Sequence, residues 1–352
     1  MKNSLALIQK LCSAFAPSGC EGEVADLIKN EISDICSDIH TDKMGNLIAV
    51  MRFGDLSAKQ RTRIMMSAHM DEVGFMITEI KSDGYLAFDT VGGINASVLA
   101  GKRVKVISQS GLLNGVIASK AIHHKDKKER QKATEVDKLY IDIGARDAER
   151  ASALVRIGDF ATFDSEFYCF GEELIKAKAI DDRIGCAAMI EAMRELKISP
   201  PTSDIDVFFC FTVREEIGLS GAKAAAYAIR PDYAVVLETT AVADIADTPP
   251  AKRVADIGNG VAVSFMDRST VYDRELTDKV LSIADKNGVK AQIKRYVSGG
   301  NDAGAIHKTA EGVKTVTLSV PTRYLHSPAS VANINDYFAQ RDLCVCIFKE
   351  LV

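Results

Sequence analysis

Apolar positions in this chain recur on two periods. At the N-terminus Leu5, Ile8, Leu11 and Phe15 fall near helical spacing, which predicts an amphipathic helix over roughly 3–15. APSGCEGEVADLIKNEI then reads as a loop and a second helix, and NLIAVMRF and RIMMSAH read as strands. Helix and strand alternating in this way point to an α/β sheet. After His69 the period shortens. VGFMITEIKSDGYLAFDTVGG reads as strand, Asp-Gly turn, strand, and KRVKVISQSGLLNGVIASK repeats the pattern. LYIDIGA and DFATFDSEFYCF add short strands, with no helix expected beyond ARDAERASAL. About 90 residues are therefore β-rich, the pattern of an inserted small barrel or sandwich.

Alternation resumes from about residue 176. DDRIGCAAMIEAMREL is a predicted helix whose apolar face is Ile184, Ala188, Met189, Met193 and Leu196. DIDVFFCFTV, YAVVLE and KTVTLSV read as buried strands. SGAKAAAYAI, VYDRELTDKVLSIADKNG and the closing INDYFAQRDLCVCIFKELV read as helices. The outline is one α/β domain interrupted by a β domain.

Length and composition fit this outline. A chain of 352 residues holds one large domain or two smaller ones, and 47% hydrophobic with 26% charged residues is an ordinary globular mix. The formal net charge of -4 and the lack of a basic tail argue against a nucleic-acid partner. The one dense basic run, KDKKERQK at 125–132, contains acids and reads as a solvated loop. No apolar run is long enough to cross a membrane, and Lys10 interrupts the only stretch that could pass for a signal peptide. The eight cysteines are scattered, and Cys186, Cys210, Cys344 and Cys346 sit inside apolar runs. They read as reduced core residues, which places the protein in the cytoplasm.

Polar residues collect where strands run out. His69 and Asp71 follow RIMMSA, Glu215 and Glu216 follow DVFFCFTV, Glu238 follows YAVVL, and His326 follows KTVTLSV and a short loop, PTRYLHSP. Asp181 and Asp182 open a helix after the strand-like ELIKAKAI. Taken singly, each has a bland explanation: a loop, a solvated face, a helix cap. Together they lie at one edge of an α/β sheet, where ligands bind. So many acids repel one another unless cations sit among them. Two histidines with carboxylates and no cysteine suit zinc, cobalt or manganese better than calcium or magnesium. Two ions sharing a carboxylate lower the pKa of a water and polarise a carbonyl. A neighbouring carboxylate must still move the proton. Glu215 and Glu216 offer both roles, because consecutive side chains diverge.

SAHMDEVGFMI, VGGINASVLAGKRV, LYIDIGARDAE, KAIDDRIGC, TVREEIGLSGA, SGGNDAGAI and VPTRYLHSP, running in order from 67 to 328, resemble the glutamyl aminopeptidase and tetrahedral aminopeptidase family of dinuclear metallopeptidases, also called endoglucanase M. The resemblance spans essentially the whole chain. It implies a three-layer metallopeptidase domain with a mixed central sheet (1–71 and 165–352), interrupted by a small β-barrel-like dimerisation domain (72–164). It implies that Asp181 bridges two metals, that His69 and Glu238 complete one site, and that Glu216 and His326 complete the other. Glu215 is then the general base, and Asp71 steadies the ring of His69. The implied activity is removal of N-terminal residues from short peptides. The implied assembly runs from dimers to a hollow tetrahedral dodecamer.

The chain departs from the family at Glu238, where Asp is common, at Asn301, where Thr is common, and in SKAIHHKDKK. His123 and His124 read as surface residues or as groups reaching an active site in the particle. Ser298, Gly299 and Gly300 read as a tight turn capped by Asp302 or as a pocket wall. Arg323 reads as a substrate or subunit contact or as a surface ion pair. An acidic substrate preference needs a cation in the pocket; Lys294, Arg295 and Arg323 are near in sequence. Two other functions stay open: a different dinuclear amide hydrolase, such as a deacylase or carboxypeptidase, and a non-catalytic peptide-binding or assembly protein.

Overall fold

Ile205–Thr212, Thr62–His69, Tyr233–Ala241 and Lys314–Arg323 lie side by side in that order, each parallel to its neighbour. The structure is a computed structural model that describes residues 1–124, 126 and 132–351. Most of the basic run, Lys125 and residues 127–131, lies outside the described residues. The four strands read as near-continuous apolar runs because both of their faces are covered. Leu47–Phe53 and Ile39–Thr41 extend the sheet antiparallel on one side. Ser330–Asn333, Leu174–Ala177 and Tyr168–Phe170 extend it on the other. With Val261–Val263 and Ala291–Ile293 the described residues make an 11-stranded mixed sheet.

Side chains alternate across the pleat into two cores. Met66, Phe209, Leu237 and Leu318 face the larger one, under the helices Lys2–Ser13, Gly22–Ile32, Ile180–Ile198, Arg274–Lys286 and Ile334–Glu350. Met65, Cys210, Ala234 and Val236 face the smaller one, under Ser220–Ile229 and Ala303–Ile306. The result is the expected three layers. Ile180–Ile198 is buried well beyond the face predicted for it, because it is wedged between the sheet and the helices Lys2–Ser13 and Ile334–Glu350.

Two local expectations are corrected. PTR of PTRYLHSP belongs to a strand, not a loop. Pro321 falls between the antiparallel partners of Leu318 and Ser319 and those of Thr322 and Arg323, so no antiparallel pair includes it. Tyr168–Phe170, at the end of DFATFDSEFYCF, pairs with Leu174–Ala177 at the edge of the central sheet.

Between the sheet strands, Gly74–Ile80, Leu86–Val91, Arg103–Ser108, Gly111–Ala118, Tyr140–Asp142 and Phe160–Phe163 close an antiparallel barrel. Closure, rather than a sandwich, comes from Phe160–Phe163 pairing with both Gly74–Ile80 and Arg103–Ser108. Phe75 stacks edge-on against Phe88 and Phe163, at 5.1 and 5.2 Å between ring centres, within a separate core.

The barrel meets the sheet through buried charge. Glu72 is 2% exposed and accepts from Lys178 Nζ (2.5 Å), Thr162 Oγ1 (2.9 Å) and the Ala16 N–H (3.2 Å). Arg183, fully buried, donates to the carbonyls of Met70, Leu11 and Ala16. Charges at this depth persist only where partners replace water.

Candidate metal centre

The four parallel strands all point their carboxyl ends at one edge, and the segments leaving them carry the polar residues. His69 is the last residue of its strand and is 2% exposed. Its Nδ1 faces the Asp71 carbonyl oxygen at 3.0 Å. A carbonyl can only accept, so Nδ1 carries the proton and Nε2 faces the cleft. Nε2 lies 3.1 Å from Asp181 Oδ1 and 3.8 Å from Glu238 Oε1.

His326 repeats the arrangement from the other side. Its Nδ1 donates to the Gly93 carbonyl at 2.7 Å, and its Nε2 lies 3.2 Å from Glu216 Oε1 and 3.4 Å from Asp181 Oδ2. Two triads, His69–Glu238 and His326–Glu216, therefore share Asp181, one through each carboxylate oxygen. Gly93 belongs to the loop after the barrel strand Leu86–Val91. Gly92, with φ +83°, lets that loop press on the site: a Cβ there would meet Val73 Cγ1 at 2.8 Å and Glu216 Cβ at 3.2 Å.

Asp181 and Asp182 are not helical, although both lie at the start of Ile180–Ile198, and the peptide joining them is cis. Asp182 Oδ1 accepts the Gly185 N–H (3.3 Å), while its Oδ2 is buried with no hydrogen-bond partner among the described residues. Ligand atoms of His69, Asp182 and Glu238 all fall within 4.8 Å of one another, as do those of Asp181, Glu216 and His326. Pattern alone reads Asp182 as a helix-start acid; only the fold brings its carboxylate near His69 and Glu238.

Asp71 is fully buried and both its oxygens are engaged. Oδ1 accepts the Glu215 N–H (3.0 Å); Oδ2 accepts the Glu216 N–H (3.2 Å) and the Ser18 hydroxyl. It fixes the backbone that carries both glutamates. Oδ1 also lies 3.5 Å from His69 Nδ1. From that backbone Glu216 turns to His326, and Glu215 lines a cleft of about 570 Å³ with Asp181, Glu238, Thr239 and Ser298.

Electrostatics match a site built for cations. Burial pushes the Glu215 carboxyl well up; His69 opposes, and Glu216, Asp302 and Asp181 add to the rise. Burial raises Glu238 and Asp182 in the same way. Asp181 is held well below the usual carboxylate range despite its burial, through its contacts with His326 and His69. Burial lowers the His326 imidazole, but Asp181 and Glu216 outweigh it and raise the ring to about 11. The Nε2 atoms of both imidazoles face carboxylate oxygens, the same atoms that would bind a cation.

Other expected residues fall elsewhere. Asp302 does not cap the turn of SGGNDAG; Asn301 Oδ1 takes the Ala303 N–H (2.9 Å) instead. The Asp302 carboxylate turns inward to Ser67 Oγ (3.1 Å) and Thr212 Oγ1 (2.6 Å), because hydroxyls from two adjacent strands offer it stronger donors. Arg323 pairs with Asp244. His123 and His124 are exposed in the short turn Ile122–His124. Cys186 and Cys210 are buried core residues, as expected.

Comparison with known proteins agrees with this architecture. Residues 45–343 match the family model for the M42 glutamyl aminopeptidase. A putative aminopeptidase of Acetivibrio thermocellus is 37% identical over 330 residues, 94% of each chain. The TET aminopeptidase of a marine sediment Thaumarchaeota archaeon superposes with a TM-score of 0.94 at 34% identity, covering 99% of this chain and 97% of that one. The TET1 peptidase of Pyrococcus horikoshii, which can assemble into a tetrahedron or a large octahedral shell, gives a TM-score of 0.88 at 35% identity over 99% of both chains. With the same fold end to end and such identity, the chain belongs to the M42 glutamyl aminopeptidase family and is an aminopeptidase, a hydrolase of peptide bonds.

Proposed function

We propose that the enzyme removes N-terminal residues from short peptides at a centre of two divalent cations, with Glu215 as general base. The observation that carries this is Asp181: its two oxygens face two imidazole Nε2 atoms, at 3.1 and 3.4 Å, and each imidazole has a further glutamate beside it. His69, Glu238 and one oxygen of Asp181 would hold one ion, with the Asp182 carboxylate near it. His326, Glu216 and the other oxygen would hold the second. Imidazole and carboxylate donors suit zinc or cobalt, with manganese a further choice. When bound, such a pair supplies Lewis acidity toward a peptide carbonyl and an acidified water.

The chain's own groups do the rest. The carbonyls of Asp71 and Gly93 fix both imidazole tautomers, so that each Nε2 lone pair faces the centre. Asp71 holds the backbone of Glu215 and Glu216 in register. Burial raises the Glu215 carboxyl toward the range where it can take a proton from water and give it to the leaving amine. The acidic floor of the cleft favours a free ammonium over a blocked terminus.

The barrel is the proposed dimerisation element, presenting Leu112 and Val116 exposed on Gly111–Ala118. Dimers would assemble into a tetrahedral dodecamer, as relatives do. The free cysteines suit a reducing cytoplasm.

The test is Glu215→Gln. It keeps two bound ions and the fold and loses turnover by roughly 10²- to 10⁴-fold. A metal-replete variant with near-normal turnover contradicts the assignment.

A further inference from the structure

The sheet face that packs with Ala303–Ile306 changes character toward the cleft. Met65 and Cys210 lie in the smaller core with Ala303 and Ile306. Two residues further along the same face, Ser67 and Thr212 are polar and fully buried. Both hydroxyls reach one group. Asp302, 1% exposed, accepts from Thr212 Oγ1 at 2.6 Å and from Ser67 Oγ at 3.1 Å, both through Oδ2. Its Oδ1 is buried with no hydrogen-bond partner among the described residues. Burial raises this carboxyl; Asp71 adds to the rise, while His69, Thr212 and Ser67 oppose it. A carboxyl so placed costs stability, so packing alone does not account for it.

What Asp302 holds is the base of the site. His69 lies two residues beyond Ser67, and Glu215 lies three beyond Thr212. Thr212 and His69 are register partners across two parallel strands, and the Met70 N–H donates to the Thr212 carbonyl at 2.7 Å. Asp302 therefore ties together the two strand ends from which a proposed ligand and the proposed base depart. It is itself anchored by its neighbour. Asn301 Nδ2 donates to Asp267 Oδ2 (3.3 Å) and to the Tyr272 hydroxyl (3.2 Å), and Asn301 Oδ1 takes the Ala303 N–H. The Arg268 N–H donates to the Gly299 carbonyl at 3.0 Å. The cleft wall is thus held without the Asp302 side chain, and the strand ends are what its loss releases. Resting on the aminopeptidase reading above, we propose that Asp302 is a positioning residue that sets Glu215 against His69 through the hydroxyls of Thr212 and Ser67.

The experiment is a double-mutant cycle on metal-loaded enzyme, with kcat, KM, bound ions and denaturant midpoint measured for each variant. Asp302→Ala is expected to lose kcat about 10- to 100-fold with both ions retained, because a slightly misplaced base fails in the transition state. KM should stay within about threefold, since the cleft wall keeps its own anchors. In the Glu215→Gln background the same substitution should cost less than about threefold, because a residue acting through the base has nothing left to position. Thr212→Val removes one hydroxyl and keeps the shape. It should lower kcat in the same direction, with Thr212→Ser keeping the wild-type value, and this pair decides the question if Asp302→Ala does not fold. Equal loss from Asp302→Ala with and without Glu215, or a lowered midpoint with kcat intact, shows a packing role and overturns the proposal. So does a wild-type kcat in Thr212→Val. All of these results leave the aminopeptidase reading standing. Near-normal turnover of metal-replete Glu215→Gln overturns that reading, and this proposal with it.

Discussion

Asp71 sits beside the centre with neither oxygen free for an ion: three donors, Ser18 and the backbones of Glu215 and Glu216, occupy them. Its effect on ions held at the proposed centre would therefore be indirect. Asp71→Asn sets an amide N–H against one of those donors, and metal affinity is expected to fall about 10- to 100-fold. Chelator competition measures this, and wild-type affinity in the variant contradicts it. That His69, Asp71, Asp181, Asp182, Glu215, Glu216, Glu238 and His326 gather at one place was legible, because each stands near where an apolar run stops; which of them are ligands came only from the family resemblance. Gly93 was not legible, since its contribution is a carbonyl oxygen that any residue possesses. Asp302 misled for a different reason. An acid beside glycines suits a helix cap, and nothing local reveals that Ser67 and Thr212 would claim its carboxylate.

Elements were legible to the extent that a face could be counted. The buried strands declared themselves as unbroken apolar runs, and alternation with helices placed them in an α/β sheet; their order and direction emerge only in the fold. What the pattern could not show is how two elements meet. Glu72 reads as one more acid in MDEVGF, yet it joins Thr162 of the barrel to Lys178 of the sheet domain. Removing Lys178 leaves the buried Glu72, among the described residues, with only Arg183 Nη2, at 3.5 Å, as a cationic partner. Lys178→Met is accordingly expected to cost about 3–5 kcal/mol of stability. Denaturant midpoints measure it, and an unchanged midpoint would show that the junction draws its stability from elsewhere.

At the scale of the molecule, the sequence pattern showed a β insertion and left barrel and sandwich open, while the family resemblance implied the barrel-like form that the structure has. Closure depends on Phe75 and Met76 pairing with Ala161 and Phe160, partners brought together only when the whole insertion folds. The same insertion offers exposed apolar side chains that a single chain leaves in water. Light scattering is expected to give a mass near twelve times the 38.1 kDa chain, or two times for the dimer alone. A 38.1 kDa species at all concentrations contradicts the assembly.

The proposed activity depends on a cluster of carboxylates and imidazoles that needs cations to work on a free N-terminus. The most direct measurement is hydrolysis of aminoacyl-p-nitroanilides by chelator-stripped enzyme, before and after adding zinc, cobalt or manganese, with the N-acetylated substrates in parallel. The predicted result is release that returns with metal and is absent when the amine is acetylated. Equal release from acetylated substrates, release that ignores the metal, or no release from protein shown to hold two ions would contradict it.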